Sequence, residues 1–453
     1  MLASTAQAGV VNVATPAQLT SALANATAGD EIVLADGTYA MTGANCAADD
    51  TATQPIIVRA ATPLGAKIEF DALEGFRVTG ANWHFEDLDI TGVCAVDSNC
   101  EHAFHVSGAA HGFVLRRSRV RDFNAQLKVN AALIGNAYVT PNGGLVEYNE
   151  VADTRGRDTA NPVTKLNIDT GDDWIVRGNY LHDAEKLQGD TVSYAAFMKS
   201  GGNRGLFERN LVICSRATTG GTRIGLSFGG GGTAPQFCAP AFDINTPCSV
   251  EHYGGTLRNN IIVNCSDVGI YLNRARDTHV LFNTLIGTTG VDFRFDTTSG
   301  EAVGNLLSSA IRTRDGGTMT ETGNQMNIAL TQFSTWYRAP FDGDLSVTGD
   351  ISSLIAAAPS RPDVKDDYCA QLRPLGPLTV GAIEHSVGTC DTTRPPVGMD
   401  PTSGGDGGLG SGSDTNPPPS MKGGCCQAPG APDIVPALFL LLVWRRHRRK
   451  AQP

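Results

Sequence analysis

Groups able to move protons or hold an anion gather between positions 105 and 252 of this 453-residue chain. The run Asn167-Ile168-Asp169-Thr170-Gly171-Asp172-Asp173 places three carboxylates close together. Two carboxyl groups at a suitable separation can protonate a leaving oxygen and activate a water. Asp172 and Asp173, just ahead of Trp174, equally suit a plain turn between strands. Lys199 and Arg223 supply cations 24 residues apart. Near Lys199, Tyr194 offers a phenol for proton donation or a flat ring for stacking. His252 titrates near neutrality and can serve as acid or base, with Glu251 beside it. His105, on a strand Phe104 to Val106, is a weaker candidate, and Arg204 adds a further cation. Each histidine also has an ordinary structural reading, and so has Lys199 as an exposed strand residue.

These groups need a scaffold, and the chain repeats. The pattern apolar-x-x-Asn followed by apolar residues recurs with Asn149, Asn179, Asn210, Asn260, Asn283 and Asn305 in the shared slot; Ser118 and Asp87 fill it earlier. Successive intervals are 31, 31, 30, 31, 50, 23 and 22 residues. Short β-branched runs at this period, separated by Gly and Asn, predict a solenoid of β-coils. Asn suits each bend because it tolerates left-handed backbone angles and can bond its stacked neighbours. Lys199 and Arg223 are near one period apart, which predicts that they stack on one face.

The 50-residue interval marks an insertion from Gly229 to His252, expected to wall a cleft. Thr15-Pro16-Ala17-Gln18 combines an N-cap, a Pro at the first helical position and a Gln at the third, predicting a helix to about Asn25. That helix would cover the open end of the solenoid. Cys94 with Cys100, Cys238 with Cys248, and Cys369 with Cys390 are spaced for local disulfides in an oxidising compartment. Cys214 and Cys265 follow apolar runs and are expected as buried free thiols.

Net charge is −11, yet Arg445, Arg446, Arg448, Arg449 and Lys450 crowd the last nine residues. Without them the body holds 30 basic against 46 acidic side chains. So acidic a surface argues against nucleic acid as the partner. Residues 1–9 end a small-x-small stretch, Ala6-Gln7-Ala8, read as the remnant of a signal-peptide cleavage region. Residues 391–424 form a Gly/Ser/Pro/Asp-rich linker. Residues 425–453 carry Cys425-Cys426, an apolar run Ile434 to Trp444 and the basic cluster. That order resembles the MYXO-CTERM type of sorting tail, which implies export to a bacterial cell surface and a partner in envelope sorting machinery.

Residues 10–390 carry a second resemblance. Val13-Ala14-Thr15-Pro16-Ala17-Gln18-Leu19, Gly29-Asp30-Glu31-Ile32-Val33-Leu34, Gly37-Thr38-Tyr39, Pro55-Ile56-Ile57-Val58-Arg59-Ala60 and the closing Gly381-Ala382-Ile383-Glu384 resemble right-handed parallel β-helix proteins related to chondroitinase B and alginate lyases. The resemblance implies an all-β, right-handed parallel β-helix, working as a monomer on a polysaccharide. Phe197-Met198-Lys199-Ser200-Gly201-Gly202-Asn203 resembles the family's Lys-Ser strand, which implies Lys199 as the base of a β-elimination and Arg223 as the second cation. In calcium-dependent members two carboxylates stand seven and five positions before the lysine; here these are Val192 and Tyr194, and Asp190 is the nearest acid. A Ca2+ ion is thereby in doubt, with Arg204 a substitute cation. A hydrolase using Asp169, Asp172 or Asp173, and a noncatalytic glycan-binding surface protein, are the alternative expectations.

Overall fold

The predicted N-terminal cap forms as the sequence dictates. Thr15 Oγ1 accepts a hydrogen bond from the Gln18 N–H (3.2 Å), Pro16 opens the helix Pro16–Ala24, and Leu19 and Leu23 turn into the first coils. This is a computed structural model that describes residues 9–393, apart from 50, 231–237, 239 and 244. Residues 1–8 of the expected leader remnant (1–9), residues 394–424 of the expected linker (391–424) and the tail at 425–453 lie outside the described residues.

Behind the helix the chain winds as a right-handed parallel β-helix. Each coil adds one strand to each of three parallel sheets, here sheets I, II and III in chain order. Sheet I has twelve strands, from Val10–Val13 to Thr320–Thr322; sheet II has ten, from Gly37–Met41 to Leu306–Leu307; sheet III has ten, from Ala44–Cys46 to Ile311–Arg314. The interior is filled by alternate residues of all three, among them a run of touching rings, Phe70, Phe76, Phe85, Phe104 and Phe113.

The repeat asparagines stack at the corner between sheets I and II. Each donates through Nδ2 to Oδ1 of the next: Asn149 to Asn179 (3.0 Å), Asn179 to Asn210 (3.1 Å), Asn210 to Asn260 (2.9 Å), Asn260 to Asn283 (2.9 Å) and Asn283 to Asn305 (3.0 Å). Asn305 continues to Asn324 (2.9 Å), a rung the repeat pattern missed. Two details correct the sequence reading. The left-handed backbone belongs to the residue before each rung, such as Tyr148, Arg209, Asn259 and Phe282, while the asparagine supplies the ladder. Asp87 is one of those left-handed residues, and the slot beneath Ser118 is Leu88, whose N–H donates to Ser118 Oγ (3.1 Å).

The three short-range disulfides form as expected. Cys214 and Cys265, expected as free thiols, are instead bonded to each other, because they follow paired strands of adjacent coils and their Cα atoms come within 4.8 Å. Cys46 is the free cysteine of the described residues, buried in the core.

After the last coil the chain doubles back over sheet II. The helix Leu330–Trp336 and the segment from Val364 to Ile383 pack on the outward Leu211, Ile213, Ile261 and Val263. Gly381-Ala382-Ile383-Glu384 is the docking end of this cover: Ala382 N–H donates to Thr284 Oγ1 (2.9 Å), and Glu384 is fully buried against Arg373 (3.1 Å). Sheet II is thus closed over, whereas sheet III carries a row of polar side chains on its outer face.

Candidate active site on sheet III

Lys199 ends the strand Val192–Lys199 and lies on the outer face of sheet III. The strand of the coil before it, Val163–Asp169, pairs in register, so that Asp169 stands beside Lys199, with Nζ 3.9 Å from Asp169 Oδ2. One coil further back, Lys128 donates to Asp169 Oδ2 (2.8 Å) and Asn167 Oδ1 (3.1 Å). Ser200 Oγ–H donates to Asp169 Oδ1, and the Ser200 N–H to Glu251 Oε2 (2.9 Å). Two carboxylates therefore converge on the Lys199-Ser200 dipeptide, and Lys128 joins the cluster through Asp169.

The electrostatics follow from burial. Lys199 is 4 % exposed, and desolvation pulls its ammonium below the ordinary lysine range; Lys128 adds to that pull, while Asp169 and Glu251 oppose it. Burial alone would raise the Asp169 carboxyl, but the charges of Lys128 and Lys199 and the hydrogen bonds from Lys128 and Ser200 hold it below its usual value. Such an arrangement keeps a carboxylate ionised beside an amine that gives up its proton more readily than a free one.

Two irregular segments stand beside this end of the sheet. An antiparallel hairpin, Ala132–Ile134 with Ala137–Val139, follows the Lys128 strand, and the insertion leaves sheet III after Phe228. Tyr138 of the hairpin stacks on Phe242 of the insertion, with ring centroids 4.9 Å apart. Further along the same side of the sheet Tyr194, Phe197, Ile224, Val268 and Tyr271 form a buried apolar patch. Lys199 itself sits over the Phe197 ring at 4.7 Å.

The other candidates from the sequence go elsewhere. Arg223 does not stack on Lys199: the coil step here is 30 residues, Ser193 pairs with Arg223, and Met198 with Phe228. Arg223 is instead buried, donating to the carbonyls of Gly220 (2.7 Å), Cys214 (2.7 Å) and Thr218 (2.8 Å) and pairing with Glu185 (3.1 Å), so it serves as a loop clamp. His252 lies inside the solenoid, its ring on Phe228 at 4.1 Å, and burial pushes it down to about 3, with the Arg204 charge adding to the shift. Neutral and away from the outer face, it is no acid or base.

Asp172 and Asp173 form the expected corner. Asp173 takes both ends of the Arg204 guanidinium (2.7 Å each), and Asp172 accepts from the Asn203 N–H (3.1 Å). That pairing leaves Arg204 on the surface as a turn clamp and separates both acids from the Asp169 cluster. Tyr194 is five residues before Lys199, roughly 16 Å at ~3.3 Å per residue along a strand, and belongs to the apolar patch. His105 does lie on the outer face, one coil from Lys128 in register. Asp190 is largely exposed and paired with Lys186. Val192 and Tyr194, at the positions of the family's calcium carboxylates, sit in the apolar patch, and their side chains cannot ligate an oxygen-seeking ion. The residues present do not fit calcium there.

Lys128 and Ser200 were missed as site residues by sequence reasoning. Lys128 carried a faint signal, alternating with the buried Leu127 and Val129 on its strand, but nothing local indicated which coil it would face.

No family model and no curated protein matches the chain. Among solved structures, pectate lyase Pel9A is similar at 14 % identity and a TM-score of 0.52, over 84 % of this chain and 97 % of its own. An alginate lyase from Paenibacillus sp. str. FPU-7 aligns at 15 % identity and TM-score 0.41 over 68 % of this chain and 99 % of its own. A rhamnogalacturonan lyase aligns at 13 % identity and TM-score 0.42 over 72 % and 90 %. At these identities the likeness is one of fold: the chain is built as a right-handed parallel β-helix of the pectate-lyase kind.

Proposed function

We propose that the protein is an exported polysaccharide lyase that cleaves an acidic, uronate-containing glycan by β-elimination, with Lys199 as the base. The observation that carries this reading is the pair of lysines flanking buried Asp169, one of them pulled below the ordinary lysine range. Elimination needs the uronate carboxylate neutralised, the proton beside it removed and the leaving oxygen protonated. Lys128 takes the role first assigned to Arg223 and meets the substrate carboxylate. The neutral Lys199 amine abstracts the proton, and the ammonium so formed is the nearest acid for the departing oxygen. Chemistry through a calcium ion is not part of this scheme.

A hydrolase reading survives on a different pair from the one the sequence suggested, because Asp169 and Glu251 both accept hydrogen bonds from Ser200. Products separate the two. The full chain is incubated with alginate, pectate, chondroitin and related polymers while the ultraviolet absorbance of unsaturated uronate is followed. A rise abolished in Lys199→Ala is the expected result. New reducing ends without that absorbance would favour the hydrolase, and glycan binding without turnover a surface adhesion role.

A further inference from the structure

Glu74, His102 and His105 bring one ligand atom each to within 4.8 Å of one another on the outer face of sheet III, on the coils preceding Lys128. Glu74 and His102 pair in register on adjacent coils, and His105 stands three residues on, so both rings lie against one carboxylate. His105 Nδ1 is 2.7 Å from Glu74 Oε1, and His102 Nδ1 is 3.8 Å from the same oxygen.

The hydrogen bonds around these rings are informative. Asn130 Nδ2 donates to the Ala131 carbonyl (2.9 Å), which fixes its Oδ1 as the acceptor facing His105 Nε2 (2.8 Å). His105 therefore carries its proton on Nε2, and in a neutral ring the Nδ1 lone pair points straight at the Glu74 oxygen. Two lone pairs at 2.7 Å need a cation between them or a second proton on the ring. His102 Nδ1 is buried without a hydrogen-bond partner and stands 3.8 Å from the same Glu74 oxygen, so a third donor atom is held at the same place. Arg77 uses the other carboxylate oxygen, Oε2 (2.9 Å), and leaves Oε1 available.

We propose that Glu74 Oε1, His102 Nδ1 and His105 Nδ1 form a binding site for a divalent transition metal, zinc being the ion best matched to two imidazoles and a carboxylate. Ligands about 2.0–2.2 Å from zinc in a tetrahedron stand ~3.4 Å apart, and the separations of 2.7 and 3.8 Å bracket that value. Asn130 is then the outer partner that sets the tautomer and aim of the ligating ring. Three protein ligands leave one position open. If the proposed glycan lies along the outer face of sheet III, a carboxylate or hydroxyl oxygen of a unit next to the Lys199 cluster is the group to take it.

The test is zinc binding by the full, untagged chain, stripped with a chelator and titrated with Zn2+ alone, read by calorimetry and by metal content after dialysis. Because Cys425 and Cys426 can also take zinc, the readout is the difference between the parent chain and its variants. One equivalent is expected to disappear in His105→Ala and in His102→Ala, with Ca2+ failing to compete. His102→Ala removes no hydrogen bond made by Nδ1 and is the variant least apt to disturb the fold; an unchanged thermal melt without metal confirms this. Substituting Co2+ should give visible d–d absorption that both variants lack. Equal zinc stoichiometry in parent and His102→Ala, or Ca2+ displacing the zinc, would overturn the proposal and leave His105 and Glu74 as a plain ion pair.

Discussion

Two buried lysines on neighbouring strands of sheet III each pair with an aspartate, and they face opposite ways. Lys165 is fully buried in contact with Asp153, inside the solenoid, where Gln126 Nε2 donates to the second carboxylate oxygen (2.9 Å). Lys199 and Asp169, almost as buried, lie on the outer face, 3.9 Å apart, with the aspartate held by Lys128 and Ser200. Burial lowers both lysines. A depressed lysine thus marks a base only when the amine faces a surface that substrate can reach; the interior pair is a structural ion pair with the same electrostatic signature.

The sharpest way to break this comparison is Lys165→Met. It strands the Asp153 charge in the interior and is expected to cost about 3–5 kcal/mol of stability in urea unfolding. Lys199→Met should cost far less, since Asp169 keeps two of its donors; equal losses would erase the distinction. Next in size is activity. Lys199→Ala should lower glycan cleavage by roughly 100-fold or more, the range of a lost general base, with the urea midpoint little changed.

Acid stability separates interior from outer face again. His252 is held at about 3 in the folded chain against about 6.5 unfolded. The unfolded chain therefore takes up a proton that the folded one refuses: the contribution of His252 is complete above pH ~6.5 and is lost as pH falls toward 3. His252→Phe should flatten part of that decline in melting temperature and leave the pH profile of cleavage unmoved; a shifted cleavage profile would return His252 to the site. The smallest effect is a sharpening one. Cleavage should rise with pH along a limb whose midpoint lies below the ordinary lysine value, and Asp169→Asn, by removing a charge that favours the ammonium, should move that midpoint to lower pH. A shift to higher pH would mean that Asp169 does not act on Lys199.

How much of this was legible in the sequence depends on the range over which each feature is decided. The Thr15-Pro16-Gln18 cap and the asparagine slots are set by neighbouring residues, and both formed, the ladder reaching one rung further than the pattern at Asn324. Lys199 was readable as a candidate from its Lys-Ser context. Arg223 misled because its distance from Lys199 resembles a period while the local coil is 30 residues long, which leaves the two six positions apart along the strand direction. The inward turn of Lys165 was invisible for a related reason: Ala195, at the same register, also points into the core, so strict alternation fails at one position in both strands. Cys214 and Cys265 were misread because strand pairing across a 50-residue insertion, not sequence distance, brought them together.

The asparagine ladder has an evolutionary side. One residue per coil defines a rung, and the spacing between bonded rungs ranges from 19 to 50 residues without interrupting the chain of side-chain bonds. Length added or lost between rungs alters only the loops and sheet ends. The scaffold therefore separates heritable change into two classes: substitutions at the rungs, which strike every neighbouring coil, and insertions between them, which remodel a recognition surface while the spine stays as it was. The segment between Asn210 and Asn260, which carries Phe242 across to the Tyr138 hairpin, is such an insertion, and selection can lengthen, trim or replace it as a nearly independent trait.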